Sequence, residues 1–139
     1  MLTRRLIDSL YTEAMLLADE ARGYFDGLGR SEIAVEPMDR VLLSCESLKV
    51  TTRLMHIIAW LLTQRAIDAG EMMTGDQSLA PPVASDEDVL DRVPAEARAI
   101  IASSIDLHRR VAHLDAAPSG ETAVPSPAHH LLLRLRQSL

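Results

Sequence analysis

PMDRVLLSCESLKVTTRLMHIIAWLLTQRAIDA, residues 37–69, contains no Gly and no Pro after its first position and reads as one unbroken helix. Pro37 is tolerated at a first helical position, where its missing N–H would have had no partner, and Gly70 follows the last periodic residue as a left-handed cap. At a rise of ~1.5 Å per residue, a helix of this length is a rod of about 50 Å. Met38, Val41, Leu42, Cys45, Leu48, Thr52, Met55, Ala59, Leu62 and Ala66 recur three or four apart, which is the spacing of a helix with one buried face. From Leu54 to Leu62 the rod is apolar almost all the way round, so this part is expected to be covered by several helices or by a second chain. It is too short to span a membrane.

Working outward, 139 residues suggest one domain. Hydrophobic residues make up 47% of the chain, yet it has only one Trp, two Tyr and one Phe, so the core must be aliphatic. Leu, Ala, Met and Arg favour helix over strand, and the predicted class is all-α. Fourteen basic against twenty acidic residues give a net charge of -6. That argues against phosphate-backbone binding, which needs clustered positive charge, and makes nucleic acid a poor candidate partner. The single cysteine, Cys45, has no intramolecular disulfide partner, and the N-terminal residues lack the apolar run and cleavage site of a secretory signal. A cytoplasmic protein with no membrane partner is expected.

Upstream of the rod, Leu6, Leu10, Ala14, Leu17, Ala21 and Tyr24 lie three or four apart, with Ile7, Tyr11, Ala18 and Phe25 widening the face. A first helix is predicted over about 3–26, ending where Gly27 and Gly29 can take positive φ. The connector 31–36 is short enough to force the first two helices into an antiparallel hairpin. Downstream, 70–93 has no usable period and reads as a mobile loop. Within it Ser85-Asp86-Glu87-Asp88 has the form of a capping box that would support one short turn through Val89 and Leu90, a solvated acidic loop being the plainer reading. A third helix is predicted over 94–114, with Ala97, Ile100, Ile101, Ser104, Leu107, His108, Val111 and Leu114 on one face. The expected domain is thus a three-helix antiparallel bundle over 1–115, followed by a flexible tail over 116–139 that is broken by Pro118, Gly120, Pro125 and Pro127.

No catalytic constellation is visible. No Glu is followed three residues later by His, so the paired ligands of di-iron bundles are absent. Gly23, Gly27 and Gly29 follow no strand and have the wrong spacing for a dinucleotide loop. Cys45 on the apolar stripe reads as a small hydrophobe, and the histidines at 56, 108, 113, 129 and 130 have no four-ligand spacing with it. The prediction is a non-enzymatic protein with no catalytic residue, metal or cofactor.

The run from Glu46 to Met72, above all Thr51-Thr52-Arg53-Leu54-Met55, Trp60-Leu61-Leu62 and Gln64-Arg65-Ala66, resembles the corresponding helix of the RcdA-like family of alphaproteobacterial cell-cycle regulators. Tyr24–Arg30 and Arg110–Asp115 are similar to that family's other helix ends, so the resemblance covers about 3–115 and leaves the loop and tail unmatched. It implies a three-helix bundle, usually dimeric, that serves as a proteolytic adaptor: with a CpdR-like response regulator it helps the ClpXP protease degrade protein cargo such as CtrA. A DNA-binding regulator of helical-bundle type is the alternative, and it suffers from Arg109 and Arg110 sharing their helix with Asp106 and Asp115.

Three groups of residues are the candidate contacts. The apolar girth of the rod, together with the resemblance, predicts a homodimer with Trp60 as its anchor and His56 as a buried or interface imidazole, the alternative being that Trp60 only fills the core. Thr51, Arg53 and Arg65 are expected on a polar rim around the dimer or partner surface, unless the arginines merely pair with Glu46 or Asp68. Leu131, Leu132, Leu133, Arg134, Leu135 and Arg136 form a basic and apolar tail end. They are too few for an independently stable helix and are expected either to stay disordered or to dock, on a partner or on the bundle's own Asp86-Glu87-Asp88 loop.

Overall fold

A computed structural model describes residues 2–30, 36–72 and 78–116. It is all-α, with helices α1 (Leu2–Arg30), α2 (Pro37–Asp68), α3 (Glu87–Arg92) and α4 (Ala95–Ala116), and no strand among the described residues. The tail residues from 117 onward, Leu131–Arg136 included, lie outside the described residues.

α1 buries Ile7, Leu10, Ala14, Leu17 and Ala21, the face its spacing predicts, although Leu6 stays exposed. It does not stop at Asp26. Gly27 and Gly29 continue the helix to Arg30, and a Cβ at Gly23 or Gly27 would meet open space, so these glycines sit on an uncrowded surface where they cost backbone entropy but break nothing. α2 begins with Pro37 at its first turn and ends in a Schellman motif. Gly70 has φ +76°, its N–H bonds to the Ile67 carbonyl at 3.0 Å, and the Glu71 N–H bonds to the Ala66 carbonyl at 2.8 Å.

Ion pairs fix the directions of the helices. Arg4 lies 3.6 Å from Asp68 and Arg65 3.3 Å from Asp8, so the start of α1 meets the end of α2 and the two are antiparallel. Arg110 of α4 clasps Glu13 of α1, and Tyr24 near the end of α1 lies beside Glu96 and Ala97 at the start of α4. Burial raises the Tyr24 phenol above its ordinary pKa, the Glu96 carboxylate adds to this, and a backbone hydrogen bond at Ala97 opposes it. α4 is therefore antiparallel to α1 and parallel to α2. Each of these three helices packs on the other two.

A parallel α2 and α4 require the chain to travel back along the rod, which is what 78–93 does. The expected mobile loop is instead a strap over these residues: the Leu79 N–H donates to Asp115 Oδ2 at 3.1 Å, His108 Nε2 meets the Ala80 carbonyl at 3.1 Å, and Arg53 Nε donates to the Val83 carbonyl at 2.8 Å. α3 then forms where a solvated acidic loop was the plainer reading and a short turn the alternative, and Arg92 reaches Asp39 at 3.2 Å at the start of α2. These anchors of the extended part, and those of Ser85 to Arg53 and Glu46, are side chains 28 to 39 residues away, so no local pattern announces the strap.

Candidate interaction surfaces

The largest departure from expectation is the orientation of α2. The face it turns to α1, α4 and the strap carries Leu43, Glu46, Val50, Arg53, Leu54, Ile57, Trp60 and Leu61. The stripe that the spacing marked as buried points the other way. Met38 is 62% exposed, Val41 56%, Leu48 68%, Met55 64% and Leu62 45%, and Cys45 is an exposed free thiol rather than core filling. At 100° per residue the two sets lie on opposite sides of the helix, so α2 has two apolar faces, of which the bundle uses one.

On the inner face Arg53 is 1% exposed and Glu46 1%. Arg53 is thus not a rim residue, and its expected surface role is corrected: it is the polar centre of the core. Besides Val83, its Nη1 donates to Ser104 Oγ at 3.2 Å and its Nη2 to Ser85 Oγ at 2.6 Å. Ser85 Oγ in turn donates to Glu46 Oε2 at 3.1 Å, Lys49 Nζ sits 3.5 Å from the same oxygen, and Ser104 Oγ donates to the Ile101 carbonyl at 2.7 Å. Burial pushes the Arg53 guanidinium below its ordinary pKa while the Glu46 charge opposes that shift. A buried charge is tolerable only when it is hydrogen-bonded and offset by an opposite charge: Arg53 donates three hydrogen bonds, and the Glu46 carboxylate stands one hydroxyl away through Ser85. Functionally, the network ties the strap to α2 and α4. Glu46, the plainer expected partner of Arg53, is reached through Ser85, while Ser85 and Ser104 were not expected as its partners. The available signal was Glu46 and Arg53 seven residues apart on one side of the rod, opposite Ser104 and His108 on the apolar face of α4.

Trp60 is 7% exposed within its own bundle, which takes it out of the role of surface anchor and makes it core, with its indole N–H unpartnered. His56 is half-buried at the edge, and its Nδ1 has no partner. Thr51 is exposed, and its hydroxyl is turned back onto the Ser47 carbonyl at 2.9 Å. Arg65 is exposed as expected, though its partners are on α1: the Asp8 carboxylate and the face of Tyr11, 5.1 Å from the ring centroid. A cavity of about 230 Å³ opens between the strap and α4, lined by Arg53, Val83, Ile105, His108 and Arg109 among others. Arg53 is held by the strap, His108 by the Ala80 carbonyl and Arg109 by Asp106, so the cavity presents mostly aliphatic wall. Among the described residues no cluster of His, Cys, Asp or Glu is placed to hold a metal ion, and no helix is long and apolar enough to cross a membrane.

The bundle is similar to a solved structure, "Crystal Structure of RcdA from Caulobacter crescentus CB15", at 31% identity and a TM-score of 0.59 over 79% of this chain and 88% of that one. No curated protein matches the chain. A family described as "Protein of unknown function (DUF1465)" matches residues 1–139 from end to end. On these two findings together, the chain belongs to the DUF1465 family and is RcdA-like in fold and sequence.

Proposed function

We propose that the chain is a non-enzymatic adaptor or scaffold in regulated proteolysis, a cytoplasmic homodimer that helps deliver cell-cycle regulators such as CtrA to ClpXP together with a CpdR-like response regulator. The observation that carries this reading is the likeness to RcdA over most of both chains. The geometry supports it in a physical sense. A rigid bundle offers an outer helix face of large apolar side chains, and contiguous exposed apolar surface marks interaction sites in proteins that otherwise hide it. Thr51 and Arg65 flank that face as polar contacts, while Arg53 acts from inside by holding the strap. Leu131, Leu132, Leu133, Arg134, Leu135 and Arg136 would end a tether that captures cargo or protease and raises the local concentration of one at the other.

The test is degradation of a CtrA-type cargo by purified ClpXP and the response regulator, with and without the full chain. Faster cargo loss with the chain is expected. Removal of residues 117–139 is expected to leave helicity and the melting temperature nearly unchanged while abolishing the stimulation. No stimulation by the full chain would remove the adaptor reading.

A further inference from the structure

The outward residues Met38, Val41, Cys45, Leu48, Thr52, Met55, Ala59, Leu62 and Ala66 alternate steps of three and four along all of α2, and none is charged. This is the heptad rule of a coiled-coil seam, left uncovered by the bundle. Thr52 Oγ1 donates to the Leu48 carbonyl at 2.9 Å, so covering the seam strands no hydroxyl. A standard interface covers roughly 800 Å² per partner, and five large side chains between 45% and 68% exposed, with smaller ones between them, offer area of that order.

Side-chain size decides what can cover it. One set of seam positions is large, Val41, Leu48, Met55 and Leu62, and from Cys45 onward the other is small, Cys45, Thr52, Ala59 and Ala66. A parallel in-register pair would set layers of Leu on Leu and Met on Met, which such pairs accept, between layers of Cys on Cys, Thr on Thr and Ala on Ala, which at the same helix separation would leave voids. Close packing disfavours those voids. In an antiparallel pair each large residue can meet a small one: Val41 against the partner's Ala66, Cys45 against Leu62, Leu48 against Ala59 and Thr52 against Met55. One neighbouring antiparallel register sets Met38 on Leu62, large on large, and brings Lys49 near the partner's Lys49; the other keeps large on small but leaves Met38 and Val41 with no residue of the partner's α2 opposite them.

We infer that the outer face of α2 docks on the same face of a second copy, antiparallel, about a two-fold axis passing between Arg53 and Leu54. This rests on the homodimer reading above and adds its face, direction and register. The occupant is a second copy because the seam complements itself.

Cys45 is a built-in probe. In this arrangement the two Cys45 residues are about 25 Å apart along the helices, beyond the reach of any disulfide, whereas a parallel pair would stack them. The full chain should sediment as a dimer at micromolar concentration and give no Cys45–Cys45 disulfide on oxidation. Leu62→Cys should convert it to a disulfide-linked dimer, and Cys45→Ala in that background should abolish the link. Leu48→Cys with Ala59→Cys, in a Cys45→Ala background, is a second pair expected to join. A dimer that links through Cys45 itself would be parallel and would overturn the inference while leaving the dimer standing. A dimer in which neither designed pair links uses another face, with the same consequence. A monomer would remove the homodimer reading and this one with it.

Discussion

The two sides of α2 are built in opposite senses. The inner side buries a glutamate and an arginine among Leu43, Val50, Leu54, Ile57 and Leu61, while the outer side exposes Met38, Val41, Leu48, Met55 and Leu62 with no charge between them. Ranked by hydropathy alone, the helix is inside out. The difference teaches that burial follows what the neighbours can satisfy. A strap carbonyl and two serine hydroxyls meet Arg53, and Ser85 carries the network on to Glu46, so the charge is accommodated.

The harshest way to break the inner side is Arg53→Ala. Removing the guanidinium takes the donor from the Val83 carbonyl and the Ser85 and Ser104 hydroxyls, each buried group left unsatisfied costing about 1–3 kcal/mol, so denaturant unfolding should show a loss of roughly 3 kcal/mol or more. The double change Arg53→Met with Glu46→Leu should recover part of it, because apolar replacement of both charged residues fills the space and strands no buried charge. A loss below about 1 kcal/mol from Arg53→Ala alone would show that Arg53 does not hold the core. Next comes a matched pair of truncations in a Leu62→Arg background that keeps the chain monomeric. Leu61→Ala should cost about 2–5 kcal/mol because Leu61 is fully buried. Leu48→Ala should stay within roughly 0.5 kcal/mol, and equal losses would mean that the outer face is covered in the monomer.

Arg65→Ala is expected to cost only about 0.2–1 kcal/mol, because its pair with Asp8 is about half exposed and screened, and the loss should shrink further in high salt. The smallest effect expected is a gain. Gly23→Ala and Gly27→Ala should each stabilise by roughly 0.5–1 kcal/mol, since both lie within α1 with open space at the Cβ position. A lower melting temperature in either variant would place a partner against that surface.

Much of the bundle is legible in the residues. The inner faces of α1 and α4 follow from apolar spacing because each has a single stripe, down to Ser104 and His108 on α4. Reading α2 by the same rule selects the wrong side, because 38-41-45-48 and 43-46-50-54 are both helical stripes and spacing cannot say which one the neighbours meet. Glu46 and Arg53 make the inner stripe look like surface. The extra length of α1 was hidden because Gly27 and Gly29 are good helix enders only where the backbone turns, and here it does not. Among the candidate contacts, the exposure of Thr51 and Arg65 follows from position on the helix. The burial of Arg53 and Trp60 depends on packing partners far away in sequence.

Sedimentation velocity of the wild-type chain and of Leu48→Arg, over a concentration series from nanomolar to tens of micromolar, tests most directly whether the outer face of α2 is made to be covered by its own kind. A wild-type shift from monomer to dimer within that range is predicted, with Leu48→Arg monomeric throughout and unchanged in helicity. A Leu48→Arg protein that dimerises as well as the wild type, or a wild type that stays monomeric at every concentration, would contradict the account.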